Sequence, residues 1–350
     1  MDAQNNKIAI YSPVRNETRL KEWIKYYDNL KIDLFILLDD FSEVPVENYF
    51  KELDNINYEI IRHNEQNWNN ETLQNNTKGS YARTQAITDY VLPICKKHNI
   101  DYILHVDADE FLYLNKFNSM EEVINWYNPF DELRINWLLF NHSNIKYNDS
   151  ESVIKTYTQS QNYINLFSKS LTKVSSIISG CNAHCFLLKQ PHVSKNIFNT
   201  EVNFAKNCHT SFNFKNHELI HYNACPLFIA HYVYKSVNDF IEKKCCSIDG
   251  NFVSIFGTDD YETKKKIINF NKINKNDIVE YVYLLLQNNN DLKNNEKIKK
   301  IEIKIPFIKE LKNNFLRYYK MFDSPAVLQR CKLPNDFFSY HENLLLKNKN

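Results

Sequence analysis

Short, almost continuously apolar strands alternate with amphipathic helices through the first 140 residues, and each strand ends on charged residues. Lys7 to Val14 (KIAIYSPV) reads as a strand. After it, Leu20, Trp23, Ile24, Tyr27 and Leu30 recur at spacings of three and four, the period of a helix with one buried face. Ile32 to Leu38 (IDLFILL) is a second strand, apolar on both faces as expected when layers cover both sides. A helix near Val46 to Leu53, a strand at Tyr58 to Arg62, a helix over Ser80 to Lys97 and a strand at Tyr102 to Val106 continue the alternation. This order predicts a parallel sheet flanked by helices. Right-handed crossovers then bring the strand C-termini to one edge, where ligands bind in open α/β sheets. That edge receives Arg15-Asn16-Glu17, Asp39-Asp40 and Asp107-Ala108-Asp109-Glu110.

Glycine is scarce, with 4 residues in 350, and no G-x-G-x-x-G or P-loop pattern is present. A dinucleotide-binding dehydrogenase and a P-loop nucleotidase are thereby disfavoured. A formal net charge of +1 carries no nucleic-acid footprint. Met1 to Asn6 is polar, so no signal peptide is readable, and no run approaches the roughly 18 apolar residues of a membrane span. A cytoplasmic protein is expected, its eight cysteines reduced.

Beyond the alternating region, Ser119-Met120-Glu121-Glu122 has the form of a capping box, and Leu133 to Phe140 reads as a further strand. Asn141 to Ala230 is less regular, with short β segments and long polar connections. A helix capped by Ser236 follows. From Asp259 the chain is rich in Lys and Asn, with helical runs at Ile278 to Gln287 and Phe307 to Met321. The expected organisation is an α/β domain over 1–258 and a helical C-terminal extension over 259–350.

Asp107 and Asp109 follow directly on the apolar strand Tyr102 to Val106. Two carboxylates at i and i+2 past a strand end converge on one hard cation and leave coordination positions for phosphate oxygens. A divalent ion there neutralises the charge that develops as a nucleoside diphosphate departs.

The run HVDADEFL (His105 to Leu112) resembles the D-x-D-E-F-L segment of the glycosyltransferase family 92-like group, also called family 2-like and related to DUF23. Arg15-Asn16-Glu17 with Leu20, Trp23 and Ile24 resembles that group's R/K-N-E…L-x-E-W-I opening, and FILLDDFS (Phe35 to Ser42) its strand ending in D-x-S. His231-Tyr232-Val233-Tyr234-Lys235-Ser236, with Phe240 and Lys243, resembles its H-Y-x-x-K-S…F-x-x-K segment. Trp137 to Ser143 departs from W-x-x-F-G-S, because Asn141 replaces glycine. These segments span residues 8 to 245.

The resemblance implies a GT-A fold, a Rossmann-like and mostly parallel sheet, and inverting hexosyl transfer from a nucleotide-sugar such as a UDP-sugar, with Mn²⁺ or Mg²⁺. The acceptor would be a glycan, a glycosylated molecule or a protein. Asp107, Asp109 and His231 would hold the metal. Arg15, Asn16, Glu17, Asp39, Asp40, Arg83, Asp107 and Lys235 would grip the nucleotide and its diphosphate. Inversion needs a carboxylate to take the acceptor proton, and Glu110, Asp149, Glu201 and Glu218 are the candidates, with Glu201 and Glu110 foremost. Helix capping for Asn16, a turn for Asp39-Asp40 and a surface position for Arg83 are the competing structural roles. Cys181, His184, Cys185, Cys208 and His209 form a second constellation able to bind zinc, although C-x-x-H-C followed by C-H is not a standard finger. A nucleotide- or carbohydrate-binding protein without turnover and a sugar nucleotidyltransferase are the alternative functions. The latter would normally carry a Gly-rich N-terminal loop.

Overall fold

The computed structural model describes residues 6–40, 42–53, 55–62, 85–140, 145–148, 150, 152–202, 220–232 and 235–239, with 276, 279–281, 283–284 and 331–332. They fall into two compact units, the first holding the described residues up to 138 and those from 163 to 231, the second those within 139–162 and 232–333. The division expected at 258 lies outside the described residues.

The first unit is built on strands β1 (Ile8–Val14), β2 (Leu34–Asp39), β3 (Tyr58–Arg62) and β4 (Tyr102–His105). They pair in parallel in the order β3-β2-β1-β4. β5 (Glu110–Tyr113), β6 (Glu132–Leu139), β8 (Ser168–Lys173), β11 (Ser194–Asn196) and β12 (Phe228–His231) extend the sheet, to nine strands among the described residues. β8 runs antiparallel to both β4 and β6, so β6 points the same way as the parallel strands. A separate ribbon pairs β9 (Ile177–Gly180) with β10 (Phe186–Leu188), and the short strand β7 (Gln159–Ser160) belongs to the second unit. The expected α/β architecture, a mostly parallel central sheet with flanking helices, is what the chain adopts.

Two helical layers follow from the sequence periods. Helix α1 (Leu20–Asn29) buries Leu20, Trp23, Ile24, Tyr26 and Tyr27, and Trp23 meets Phe35 of β2 edge-on with centroids 6.0 Å apart. The opposite face carries Ala9, Tyr11, Leu34, Ile36, Leu38 and Ile103, covered by Ile87, Val91 and Cys95 and by Phe186 and Leu188 of the ribbon. That covering helix begins as a π-helical turn at Ile87–Val91 and continues as an α-helix, Leu92–Lys97. The part of the expected helix from Ser80 to Thr84 lies outside the described residues. The helix expected at Val46 to Leu53 is shorter, Glu47–Phe50.

Positive backbone φ angles show how a glycine-poor chain ends its helices. Lys31 (φ 62°) follows α1, with its N–H donating to Asp28 O and that of Ile32 to Tyr27 O. Asn99 (φ 55°) closes the Leu92–Lys97 helix in the same way, through Lys96 O and, from Ile100, Cys95 O. Both are Schellman caps with a non-glycine residue in the left-handed position. Four of the five such residues described are asparagines, the side chain that tolerates this region best after glycine.

The capping box at Ser119 is realised with a difference. Ser119 Oγ accepts the Glu122 N–H, while Glu122 reaches back to the Asn118 N–H rather than to that of Ser119. In the second unit, Ser236 caps as expected: its Oγ accepts the Asp239 N–H and its own N–H donates to Asp239 Oδ2. Within the expected run Ile278 to Gln287, the described residues 279–281 and 283–284 are helical. Among the described residues no helix is long and apolar enough to cross a membrane.

Candidate active site

The D-x-D segment occupies the turn between β4 and β5. Val106 N–H donates to Tyr11 O of β1, carrying the chain to the C-terminal edge of the parallel strands. The turn is closed by Glu110 N–H to Asp107 O and by Asp107 N–H to Glu110 Oε2, at 3.1 and 2.8 Å. From there β5 is pinned to α1. Trp23 Nε1 and the Tyr27 hydroxyl both donate to Glu110 O, and the Tyr27 oxygen accepts the Leu112 N–H. The apolar face of α1 therefore sets the position of the acidic turn as well as filling the core.

Strand β12 supplies the histidine. It runs antiparallel to β5 with His231 opposite Glu110. Its Nε2 lies 3.5 Å from Asp109 Oδ1 and its Nδ1 3.6 Å from Glu110 Oε1. The ring packs on Trp137 of β6, centroids 4.4 Å apart, and Trp137 also meets His184 at 5.1 Å. The fold thus places His231 beside Asp109.

Strand β8 adds a residue that the sequence reading passed over. Lys169 has no exposed side-chain surface, and its Nζ lies 2.9 Å from Asp107 Oδ2, 2.7 Å from Ala183 O and 3.7 Å from Glu110 Oε2. A signal for it existed in SKSLTK. If that segment is a strand, Lys169 shares a face with Leu171 rather than with Ser168, Ser170 and Thr172. A lysine on the apolar face of a buried strand needs an acidic partner.

The electrostatics follow from this packing. Burial would raise Asp107, but the adjacent Lys169 ammonium outweighs it and holds the carboxyl down at about 2. Burial dominates at Glu110 and, with the charges of Asp107 and Asp109, pushes its carboxyl well above the usual range against the pull of Lys169. Burial disfavours the Lys169 charge, yet Asp107 and Glu110 together push its pKa up. Asp107 keeps a third of its side chain exposed, whereas Asp109 and Glu110 are buried, so Asp107 is the open side of the cluster.

A divalent cation can be tested against this donor set. Carboxylate oxygen suits Mn²⁺ or Mg²⁺, and an imidazole nitrogen beside it favours the transition metal Mn²⁺ over the harder Mg²⁺. Two adjacent ligands of such an ion stand about 3 Å apart, given metal–ligand bonds of about 2.1 Å. The Asp109–His231 separation of 3.5 Å needs only a small closure. Asp107, by contrast, has one oxygen committed to Lys169. Among the described residues no group of three or more His, Cys, Asp or Glu side chains has metal-binding geometry.

The other predicted residues fall in three places. Asn16 and Asp39 meet through Ser42: Asp39 Oδ1 accepts the Ser42 N–H, Ser42 Oγ accepts the Asn16 N–H, and Asn16 Oδ1 accepts the Glu43 N–H. Asn16 has φ 48°, and Asp39, 3% exposed, lies 3.8 Å from the Arg62 guanidinium. Glu17 Oε1 accepts the Arg19 N–H at the entry to α1, Arg15 is exposed, and Asp40 N–H donates to Val14 O. These residues brace the ends of β1 and β2. Glu201 bridges Lys195 of β11 beside Leu133, toward the end of β6 away from Trp137, so it is not brought to the acidic turn. Lys235 belongs to the second unit. Arg83, Asp149, Glu218, Cys208 and His209 lie outside the described residues. Of the zinc constellation, His184 Nδ1 is 2.9 Å from Ser168 O and Cys185 Sγ is 3.5 Å from Asn182 Oδ1.

No protein-family model matches the chain, and no characterised protein matches it in sequence. Among solved structures it is similar to core-mannan synthase A (CmsA/Ktr4) from Aspergillus fumigatus in its Mn/GDP form. That match has 14% identity over 42% of this chain and 46% of the other, with a TM-score of 0.27. The mannosyltransferase Ktr4p from S. cerevisiae in complex with GDP matches at 16% identity over 41% of this chain and 43% of the other, TM-score 0.27. HddC from Yersinia pseudotuberculosis matches at 9% identity over 50% and 71%, TM-score 0.26. The chain thus spans less than half the length of the two mannosyltransferases.

Proposed function

We propose that the chain is a glycosyltransferase of GT-A type that moves a sugar from a nucleotide-sugar donor, with a divalent cation, as the resemblance to the family 92-like group implies. The observation that supports it most is the pairing of Asp109 with His231, and Asp107 on the same turn, past the C-terminal end of β4 at the ligand-binding edge of a parallel sheet. When bound, Mn²⁺ or Mg²⁺ would offset the negative charge of a departing nucleoside diphosphate. Asp109 and His231 are the residues that would hold it. Asp107, open to solvent on one side, accepts hydrogen bonds from the donor. Glu110 has no exposed surface and contacts His231 and Lys169, so it orients the site instead of taking a proton from an acceptor. The brace of Asn16, Asp39 and Ser42 shapes the adjoining strand ends, where the nucleoside would lie.

The test is nucleoside diphosphate release from a panel of UDP- and GDP-sugars with Mn²⁺, comparing wild type with Asp109→Ala. Release from one donor, dependent on the metal and lost in the variant, is expected. A folded wild-type protein that releases no nucleoside diphosphate from any donor, and gains no thermal stability from one, would rule the reading out.

A further inference from the structure

Lys169 stands where a cation would. Its ammonium has three oxygens around it: Asp107 Oδ2 at 2.9 Å, the Ala183 carbonyl at 2.7 Å and Glu110 Oε2 at 3.7 Å. Two of these are carboxylates and the third a peptide carbonyl, the hard ligands that a divalent cation also selects. The side chain has no solvent exposure, and it enters from β8, on the far side of β4 from β1. Its carbonyl ligand lies on the Cys181–Cys185 turn, where Cys181 N–H and Asn182 N–H return to Cys185 O. The neighbouring His184 packs on Trp137 at 5.1 Å and on Phe167 at 5.9 Å. The ammonium is therefore fixed from two elements that the acidic turn does not share.

We propose that Lys169 is a built-in cation of this site, filling the position between Asp107 and Glu110 that a second metal ion would otherwise take, and so confining an exchangeable divalent cation to Asp109 and His231. The inference rests on the reading of the acidic turn as a cation site, but not on the identity of any sugar donor. The ammonium thus acts as a positioning group: it holds Asp107 by one oxygen, leaves the other toward solvent, and keeps Asp107 and Glu110 from closing on the exchangeable ion.

The test uses Mn²⁺ alone, titrated into the full chain and followed by the electron paramagnetic resonance signal of the free ion. Lys169→Met removes the charge and keeps the side-chain length. It should bind Mn²⁺ about tenfold or more tightly than wild type, or take up one additional ion, because the neighbouring positive charge no longer opposes it. In Lys169→Met/Asp107→Asn the gain should disappear. A Lys169→Met variant that folds only in the presence of Mn²⁺ supports the proposal equally. Unchanged or weaker binding in folded Lys169→Met overturns it, as does a variant that Mn²⁺ cannot restore while the double variant folds. A wild type that binds no Mn²⁺ would instead count against the cation reading of Asp109 and His231, and leaves the Lys169→Met comparison decisive for the lysine.

Discussion

His231 faces Glu110 across the antiparallel β5–β12 pair, its Nδ1 3.6 Å from one carboxylate oxygen while its Nε2 faces Asp109. A carboxylate that closes to hydrogen-bond distance of one imidazole nitrogen fixes the orientation in which the other faces a metal. The pairing register, more than the position of either residue in the chain, creates this arrangement. Glu110→Gln should lower Mn²⁺ affinity by about 10- to 100-fold, the usual cost of losing such an outer partner. Calorimetric titration with Mn²⁺ checks it, and an affinity equal to wild type would assign Glu110 to packing alone.

The same substitution should act in the opposite direction on stability. The Glu110 carboxyl is raised by burial, so its ionisation opposes folding once the pH exceeds the unfolded-state value of about 4.3. Glu110→Gln removes that penalty. The variant should be more stable than wild type in urea at pH 7, with the difference vanishing below about pH 4. Asp107 behaves conversely, because Lys169 holds it at about 2. Its contribution is present above the unfolded-state value of about 3.9 and is lost as the pH falls toward about 2, so Asp107→Asn should flatten the acid limb of the stability profile.

Lys31 occupies a left-handed position at φ 62° just past Leu30, the C-cap of α1. A residue with a Cβ costs about 1–2 kcal/mol there, and glycine avoids that cost at the expense of a more flexible unfolded chain. Lys31→Gly should therefore stabilise the protein by about 0.5–1 kcal/mol, read as a higher urea midpoint with unchanged slope. A loss of stability would mean that the lysine side chain contributes more than the cap geometry costs.

The parallel strands and their order of helices were legible because apolar runs and helical spacing are local signals, and Tyr58 to Arg62 forms the strand that its sequence predicts. Asp107, Asp109 and His231 were legible as residue types, and what joins them is the β5–β12 register, which no local pattern encodes. Lys169 was hidden because it lies 62 residues from its partner Asp107 in a segment read as irregular. Asn16 and Asp39 illustrate the converse. The family resemblance marked them as donor-gripping residues, while the structure shows side chains already engaged with Ser42 and Glu43 in bracing two loops. A polar residue at a strand end satisfies backbone groups there whether or not a ligand binds.

That brace can be measured. Asn16→Ala removes the acceptor for the Glu43 N–H and also places a Cβ-bearing residue without a local hydrogen bond at φ 48°. The two losses together should cost about 1.5–3 kcal/mol. Asn16→Gly loses the hydrogen bond but relieves the backbone, so it should cost about 1 kcal/mol less than the alanine variant. Equal losses in the two variants would show that the left-handed conformation at this position contributes nothing.

Trp137 provides an optical report on where a cation binds. Its ring centroid lies 4.4 Å from that of His231, and the Lys169 ammonium is 6.0 Å from it on the same cluster. The protein has four tryptophans, and Trp23 is fully buried on α1 while Trp126 is exposed on the helix Met120–Tyr127. Paramagnetic Mn²⁺ quenches fluorescence at short range, whereas diamagnetic Mg²⁺ does not. Addition of Mn²⁺ should dim the emission of the wild type, and Trp137→Phe should reduce that change, the remainder coming from Trp23, whose indole donates to Glu110 O of the acidic turn. His231→Ala, which leaves Trp137 in place, should shift the quenching to higher Mn²⁺ concentration. Quenching that persists undiminished in Trp137→Phe would place the cation away from His231 and exclude the Asp109–His231 pair as its site.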